Sequence, residues 1–191
     1  MILASGNAHK VRELREILPG IDLEPLPEGI GMPPETGDTF AENALIKARA
    51  VRAATGEVVI ADDSGLVVDS LAGRPGVRSA RYAGEDATDG ENLARVLEDL
   101  EAAGGDGRGR YVCVIALIDD EGREHLFEGF CEGRIVPEPR GDGGFGYDPA
   151  FVPEATGPDD SRTAAELSPD EKNAISHRGA AARALALHLG V

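Results

Sequence analysis

The sequence predicts an α/β protein built on a mixed, twisted sheet. Two observations carry this. Short apolar runs alternate with capped, amphipathic helical segments through the first half of the chain, the pattern of a partly parallel sheet with helices on it. Two long strand-like runs, Tyr111 to Ile118 and Glu124 to Ile135, are then separated only by the turn Asp119-Asp120-Glu121-Gly122, so they form a hairpin. The 191 residues suffice for one domain or two tightly joined lobes with a sizeable core.

The elements follow in order. Residues 1–4 form the first strand, and a loop leads into a helix over about 8–18 with Val11, Leu14, Ile17 and Leu18 on one face. Residues 19–38, rich in Pro, Gly and Glu, make an irregular excursion with one short strand. Thr39 caps the next helix and Glu42, three residues on, completes a capping box. That helix ends near Ala54, before Gly56. An apolar strand over 58–61 runs into the turn-like Asp62-Asp63-Ser64-Gly65, with Leu66-Val67-Val68 as a possible second strand. A Gly- and Arg-rich loop covers 72–87. Thr88 and Glu91 form a second capping box for a helix to about Ala102. The Gly-rich loop 103–109 precedes the hairpin. After the Gly/Pro loop 137–149, Phe151-Val152 is a short strand. Ser168-Pro169 opens the last helix, interrupted near His177 to Gly179.

Composition narrows the function. A formal charge of −16 argues against a nucleic-acid partner, which needs a basic face. It leaves room for a small anionic ligand in a locally cationic pocket. No segment resembles a membrane span or a secretory leader, so a cytoplasmic location is expected. Cys113 and Cys131 lack metal or redox spacing and are expected to be buried free thiols. Lysines are scarce, only Lys10, Lys47 and Lys172 among nineteen basic residues.

Five segments carry chemistry. Ser5-Gly6-Asn7-Ala8-His9-Lys10 follows the first strand and opens a helix. It offers backbone N–H groups, two polar side chains and a point charge to a phosphate, or it is an ordinary turn with a surface Lys. It lacks the spacing of a Walker A loop. Glu35 precedes the second helix in irregular chain and has no structural duty there. Glu42 has its cap to make, and Lys47 can form an intrahelical ion pair. Asp62 and Asp63 close a buried strand, where ligands of α/β sheets sit. Buried acids need compensation, and Mg²⁺ prefers carboxylate oxygens. Successive side chains of a strand point oppositely. Asp62 and Asp63 therefore do not both face one metal unless the turn rotates one of them. Asp63, beside Ser64 and the Gly turn and partnered by Glu35, is the better ligand. Asp62 is left to brace the turn, stand behind Asp63 or touch the metal itself. Gly141 to Pro149 presents Phe145 and Tyr147, which either stack on a base or plug the core. Lys172 and Ser176 share a helix face, followed by His177 and Arg178; they can read carbonyl oxygens or phosphates, or form a solvated face.

Taken together, the five blocks resemble the non-canonical purine nucleoside triphosphate pyrophosphatases, the inosine/xanthosine triphosphate pyrophosphatase family. The likeness runs from Ile2 to about Leu185 with the blocks in the family's order. It implies one domain over 1–191, with a mixed sheet in two lobes around a substrate cleft, and a homodimer. It implies a Mg²⁺-dependent enzyme that cuts ITP, dITP and XTP between the α and β phosphates, yielding monophosphate and pyrophosphate and cleansing the nucleotide pool. Ser5, Gly6, Asn7, Ala8, His9 and Lys10 would hold the triphosphate. Glu35 and Asp63 would hold the metal, with Asp63 also the base that activates water. Ser64 would touch substrate. Phe145, Gly146, Tyr147, Asp148, Lys172, His177 and Arg178 would surround base and sugar. Ser5 stands where many members carry Thr. Another base choice, or a nucleotide-binding regulator without catalysis, are the competing readings.

Overall fold

The computed structural model describes residues 1–191. Strand β1 (Ile2–Leu3) leads into α1 (Ala8–Ile17), then α2 (Phe40–Thr55) and β2 (Val59–Val68). Next come α3 (Asp89–Ala103), β3 (Arg108–Ile118), β4 (Glu124–Ile135) and β5 (Phe151–Pro153). Helices α4 (Pro169–Ile175) and α5 (His177–Leu189) close the chain. The five strands form one sheet in the order β1-β2-β3-β4-β5. It is mixed as expected: β1 runs parallel to β2, with Ile2 opposite Val59, and β5 runs antiparallel to β4.

The chain divides into two compact units. One comprises residues 1–63, 113–129 and 178–191; the other comprises 64–112 and 130–177. In the first, the two-residue period of the strands sorts side chains to two cores. Ile60, Cys113, Ile115 and Leu117 pack with Leu14 of α1 and Ala181, Ala182 and Leu185 of α5. Val59, Ala61, Ala116 and Ile118 pack with Ala44, Ala48 and Val51 of α2. The second unit has one core, in which Leu93, Val96 and Leu100 of α3 meet Leu66, Tyr111, Cys131, Ile135 and Phe151.

The local signals hold. Thr39 and Thr88 both cap their helices in reciprocal boxes with Glu42 and Glu91, and Gly56 ends α2 in the left-handed conformation. Both cysteines are buried free thiols. Four boundaries differ from expectation. The irregular excursion contributes only an isolated bridge from Glu24 to Ile2. Strand β3 begins at Arg108, inside the expected Gly-rich loop. The last helix breaks at Ser176, whose backbone is extended, so His177 begins α5.

The fourth difference matters most. There is no turn at Asp62-Asp63-Ser64-Gly65; β2 is one strand of ten residues that runs straight through it. Gly65 is there for close approach. Its Cβ would lie 2.6 Å from the Gly76 carbonyl and against the Ser79 hydroxyl. That hydroxyl accepts the Leu66 N–H at 2.9 Å and donates to the Gly76 carbonyl at 2.6 Å. A methyl group there must displace this bridge. Gly65→Ala should therefore destabilise the protein by about 1–3 kcal/mol, read from urea unfolding. An unchanged midpoint would mean that the strand shifts freely and that the close approach constrains nothing.

Candidate active site

Because β2 is extended through the acids, Asp62 continues the face of Ile60 and Asp63 that of Val59 and Ala61. Asp62 thus meets α1 and α5. Its carboxylate lies 3.0 Å from Lys10 Nζ and 3.5 Å from an Arg178 guanidinium nitrogen. Arg178 is also paired with Glu13 of α1. Asp62 and Arg178 are each 1% exposed. Burial alone would raise the Asp62 carboxyl, but Lys10, Arg178 and Lys47 outweigh it and hold it well below the usual carboxylate range. Burial would likewise lower Arg178, yet Asp62 and Glu13 keep it firmly charged.

Asp63 meets α2. Its Oδ2 accepts from the Asn43 amide at 3.2 Å, and its Oδ1 lies 3.3 Å from Lys47 Nζ. Lys47 also donates to Glu35 Oε1 at 2.7 Å. It pairs across the fold, not along the helix. Here burial wins: it raises the Asp63 carboxyl above its ordinary value, Glu35 and Asp62 adding to it against Lys47 and Lys10. The adjacent acids are thus pushed in opposite directions. Glu42 spends its carboxylate on the Asp38 and Thr39 N–H groups, at 2.8 and 3.0 Å, as its capping role requires.

Glu35 and Asp63 converge on one cation position, now taken by the Lys47 ammonium. Carboxylate oxygens are the ligand chemistry of Mg²⁺, which characteristically fills the rest of its shell with waters and phosphate oxygens. No group of three or more His, Cys, Asp or Glu side chains is placed to hold a metal alone. The residues present suit a Mg²⁺ shared with a phosphate ligand.

Ser5 to Asn7 form a largely exposed loop into α1, and Ala8 and His9 begin the helix. Asn7 is the N-cap: its side chain accepts from the His9 and Lys10 N–H groups at 2.9 and 3.2 Å. The Asn7 N–H itself points to Ser5 Oγ at 3.3 Å. The Asn7, His9 and Lys10 N–H groups, among the backbone donors expected to face an anion, are thus satisfied locally. A surface cavity of about 540 Å³ lies beside Ser5, Gly6 and Ala8, with Arg12 and Arg15 on its wall.

The second unit gathers the remaining residues around Asp148. Its Oδ2 accepts from Lys172 Nζ at 2.7 Å and from the Phe145 N–H at 2.9 Å; its Oδ1 accepts from the Tyr111 hydroxyl at 3.2 Å. The Lys172 ammonium lies 4.9 Å from the centre of the Phe145 ring. His177 stacks on Tyr111, with ring centres 4.6 Å apart and planes within 9°. Burial first, then Asp148, push the Tyr111 hydroxyl well above its ordinary range, so it stays a donor. The two aromatics of the Gly-rich loop part ways. Phe145 is half-buried beside Lys172, whereas Tyr147 is buried and donates its hydroxyl to the Ser79 carbonyl at 2.7 Å. Gly146 presents its N–H to Asp89 at 2.8 Å. Ser64 is half-buried on β2.

Sequence reasoning gave no role to Glu13, Asn43 or Tyr111. Asn43 follows the capping Glu42, but its amide contact to Asp63 crosses twenty residues. Glu13 faces Arg178 across 165 residues.

With this geometry in place, comparison identifies the class. A family model described as the Ham1 family matches residues 1–188, and the chain belongs to that family. It is 48% identical over 192 residues to a dITP/XTP pyrophosphatase of Cutibacterium acnes, covering 97% of this chain and 93% of that one. It is also 48% identical to a dITP/XTP pyrophosphatase of Coxiella burnetii, covering 95% and 92%. The solved structure of a HAM1 protein from Coxiella burnetii superposes with a TM-score of 0.88 at 45% identity, covering 99% of this chain and 97% of that one.

The Asp62 cluster yields a stability prediction. Asp62→Asn leaves Lys10 and Arg178 facing a neutral amide, and should cost about 3–5 kcal/mol in urea unfolding at neutral pH. The folded carboxyl titrates below its unfolded value, so its contribution is whole above about pH 4 and is lost as the pH falls through the folded value. The wild-type advantage over Asp62→Asn should therefore stay flat from neutral pH down to about 4 and shrink only below it. An advantage that already fades near neutrality would contradict this ion pairing.

Proposed function

We propose that this protein hydrolyses dITP, ITP and XTP to the nucleoside monophosphate and pyrophosphate, and so clears non-canonical purines from the nucleotide pool. What carries the reading is the convergence of Glu35 and Asp63 on one cation position, in a chain nearly half identical over almost its whole length to proteins named dITP/XTP pyrophosphatase.

The residues of the first unit suit the triphosphate. Ser5 Oγ and the Lys10 ammonium bind phosphate oxygens, and Lys47 adds a second mobile cation beside Asp63. A Mg²⁺ held by Glu35 and Asp63 would neutralise charge on the phosphates. Asp63 orients a water for attack on the α-phosphorus and receives its proton. The bond from the α-phosphorus to the bridging oxygen breaks, and pyrophosphate leaves. Positioning and charge stabilisation supply most of the rate in such displacements.

The residues of the second unit suit the base. A 6-keto purine presents an acceptor to Lys172 or His177, and Phe145 offers a flat face. Adenine places an amino donor there instead, leaving a protein donor unpaired at a cost of about 1–3 kcal/mol. Arg178 is instead enclosed with Asp62 and Glu13 in the first unit. A homodimer, implied by the family resemblance, and a cytoplasmic location, expected from the sequence, belong to the same proposal.

The decisive measurement is pyrophosphate release with Mg²⁺ across a nucleotide panel. ITP, dITP and XTP should be turned over well ahead of ATP, dTTP and UTP. Equal rates across the panel, or release of orthophosphate, would defeat the reading. Asp63→Asn should lower kcat by about 100-fold or more while nucleotide binding persists. Wild-type turnover in that variant would remove Asp63 from the chemistry.

A further inference from the structure

The triphosphate chemistry and the base contacts leave the buried Tyr111 hydroxyl without an assigned function. Tyr111, on β3, is only 8% exposed, and its hydroxyl reaches Asp148 Oδ1 at 3.2 Å. Asp148 in turn takes Lys172 on its other oxygen, at 2.7 Å. The ring of Tyr111 lies flat against His177 on one side and meets the Phe151 ring edge-on, with centres 4.6 Å apart in both cases. One side chain therefore contacts two members of the base cluster, by hydrogen bond and by stacking, and reaches Lys172 through the first. A cavity of about 10 Å³ lies among Tyr111, Asp148, Lys172 and His177, room for about one water. These groups have little space to shift into. A phenylalanine would fill the same volume and keep the stack, but it would take one donor from a buried carboxylate.

We propose that Tyr111 is a positioning residue for base recognition: its hydroxyl fixes Asp148, and through it the Lys172 ammonium, while its ring sets the plane of His177. This rests on the assignment of Lys172 and His177 to the base. Groups that hold the base act alike in ground and transition states, so loosening them raises KM and leaves kcat. A residue that only filled the core would instead lower stability and leave base preference alone.

The test compares wild type, Tyr111→Phe and Tyr111→Leu in steady-state pyrophosphate release with dITP and dATP, beside thermal unfolding and calorimetric titration with IMP. For Tyr111→Phe, KM for dITP should rise about ten-fold, with kcat within about two-fold. The preference for dITP over dATP should narrow, IMP should bind correspondingly more weakly, and the melting temperature should hardly move. Tyr111→Leu, which loses the stack as well, should weaken IMP binding further. Wild-type KM, base preference and IMP affinity in Tyr111→Phe would overturn the proposal. So would a fall in melting temperature with base preference intact. If wild type itself shows no preference for dITP over dATP, the base assignment fails first and the role of Tyr111 with it; a preference in wild type that Tyr111→Phe retains sinks the Tyr111 role alone.

Discussion

The alternation of β2 through Asp62 and Asp63 is the constraint on which the first unit depends. An extended strand cannot aim two successive carboxylates at one point. Burying both therefore obliges the fold to supply compensation on both faces of the sheet. It does so with Lys10 and Arg178 on the side of α1 and α5, and with Lys47 and Asn43 on the side of α2. Helix packing and charge compensation are one arrangement: the helices that cover the sheet's apolar residues also bring the cations. The outcome separates two neighbouring acids by chemistry. Asp62 is locked in its charged form inside a closed ionic cluster, while Asp63 keeps a raised carboxyl beside a movable ammonium.

Much of this was legible in the sequence because it is local. Capping boxes span three residues, and Thr39 with Glu42 and Thr88 with Glu91 form as read. That Asp62 and Asp63 face opposite sides followed from strand periodicity. The misreadings came where a residue type has two physical uses. Gly65 looked like turn punctuation, yet its small size serves the approach of Ser79 and Gly76 to a straight strand. Tyr147 could equally stack on a base or plug the core, and the structure buries it with its hydroxyl satisfied. The unread partners, Glu13 for Arg178 and Tyr111 for Asp148, lie far away in sequence, and no local pattern encodes such a pair.

The chain's three lysines make the same point about charge. Each ammonium sits on a buried aspartate: Lys10 on Asp62, Lys47 on Asp63 and Lys172 on Asp148. A strongly acidic protein thereby keeps cations where an anionic ligand would need them, although its overall field is repulsive. The choice of lysine over the abundant arginine has a physical basis. An ammonium is a point charge on a flexible stem, free to rotate between a carboxylate and an incoming oxygen. A guanidinium fork is held by its geometry and serves better where nothing should move. Arg178, clamped between Asp62 and Glu13, is the fixed kind; the lysines are the movable kind. For Lys47 this mobility is a requirement of the proposed chemistry, because its ammonium now stands between the two carboxylates that would share a Mg²⁺. Under that proposal, a lysine there is a cation that would give way if a Mg²⁺ came in with the phosphates.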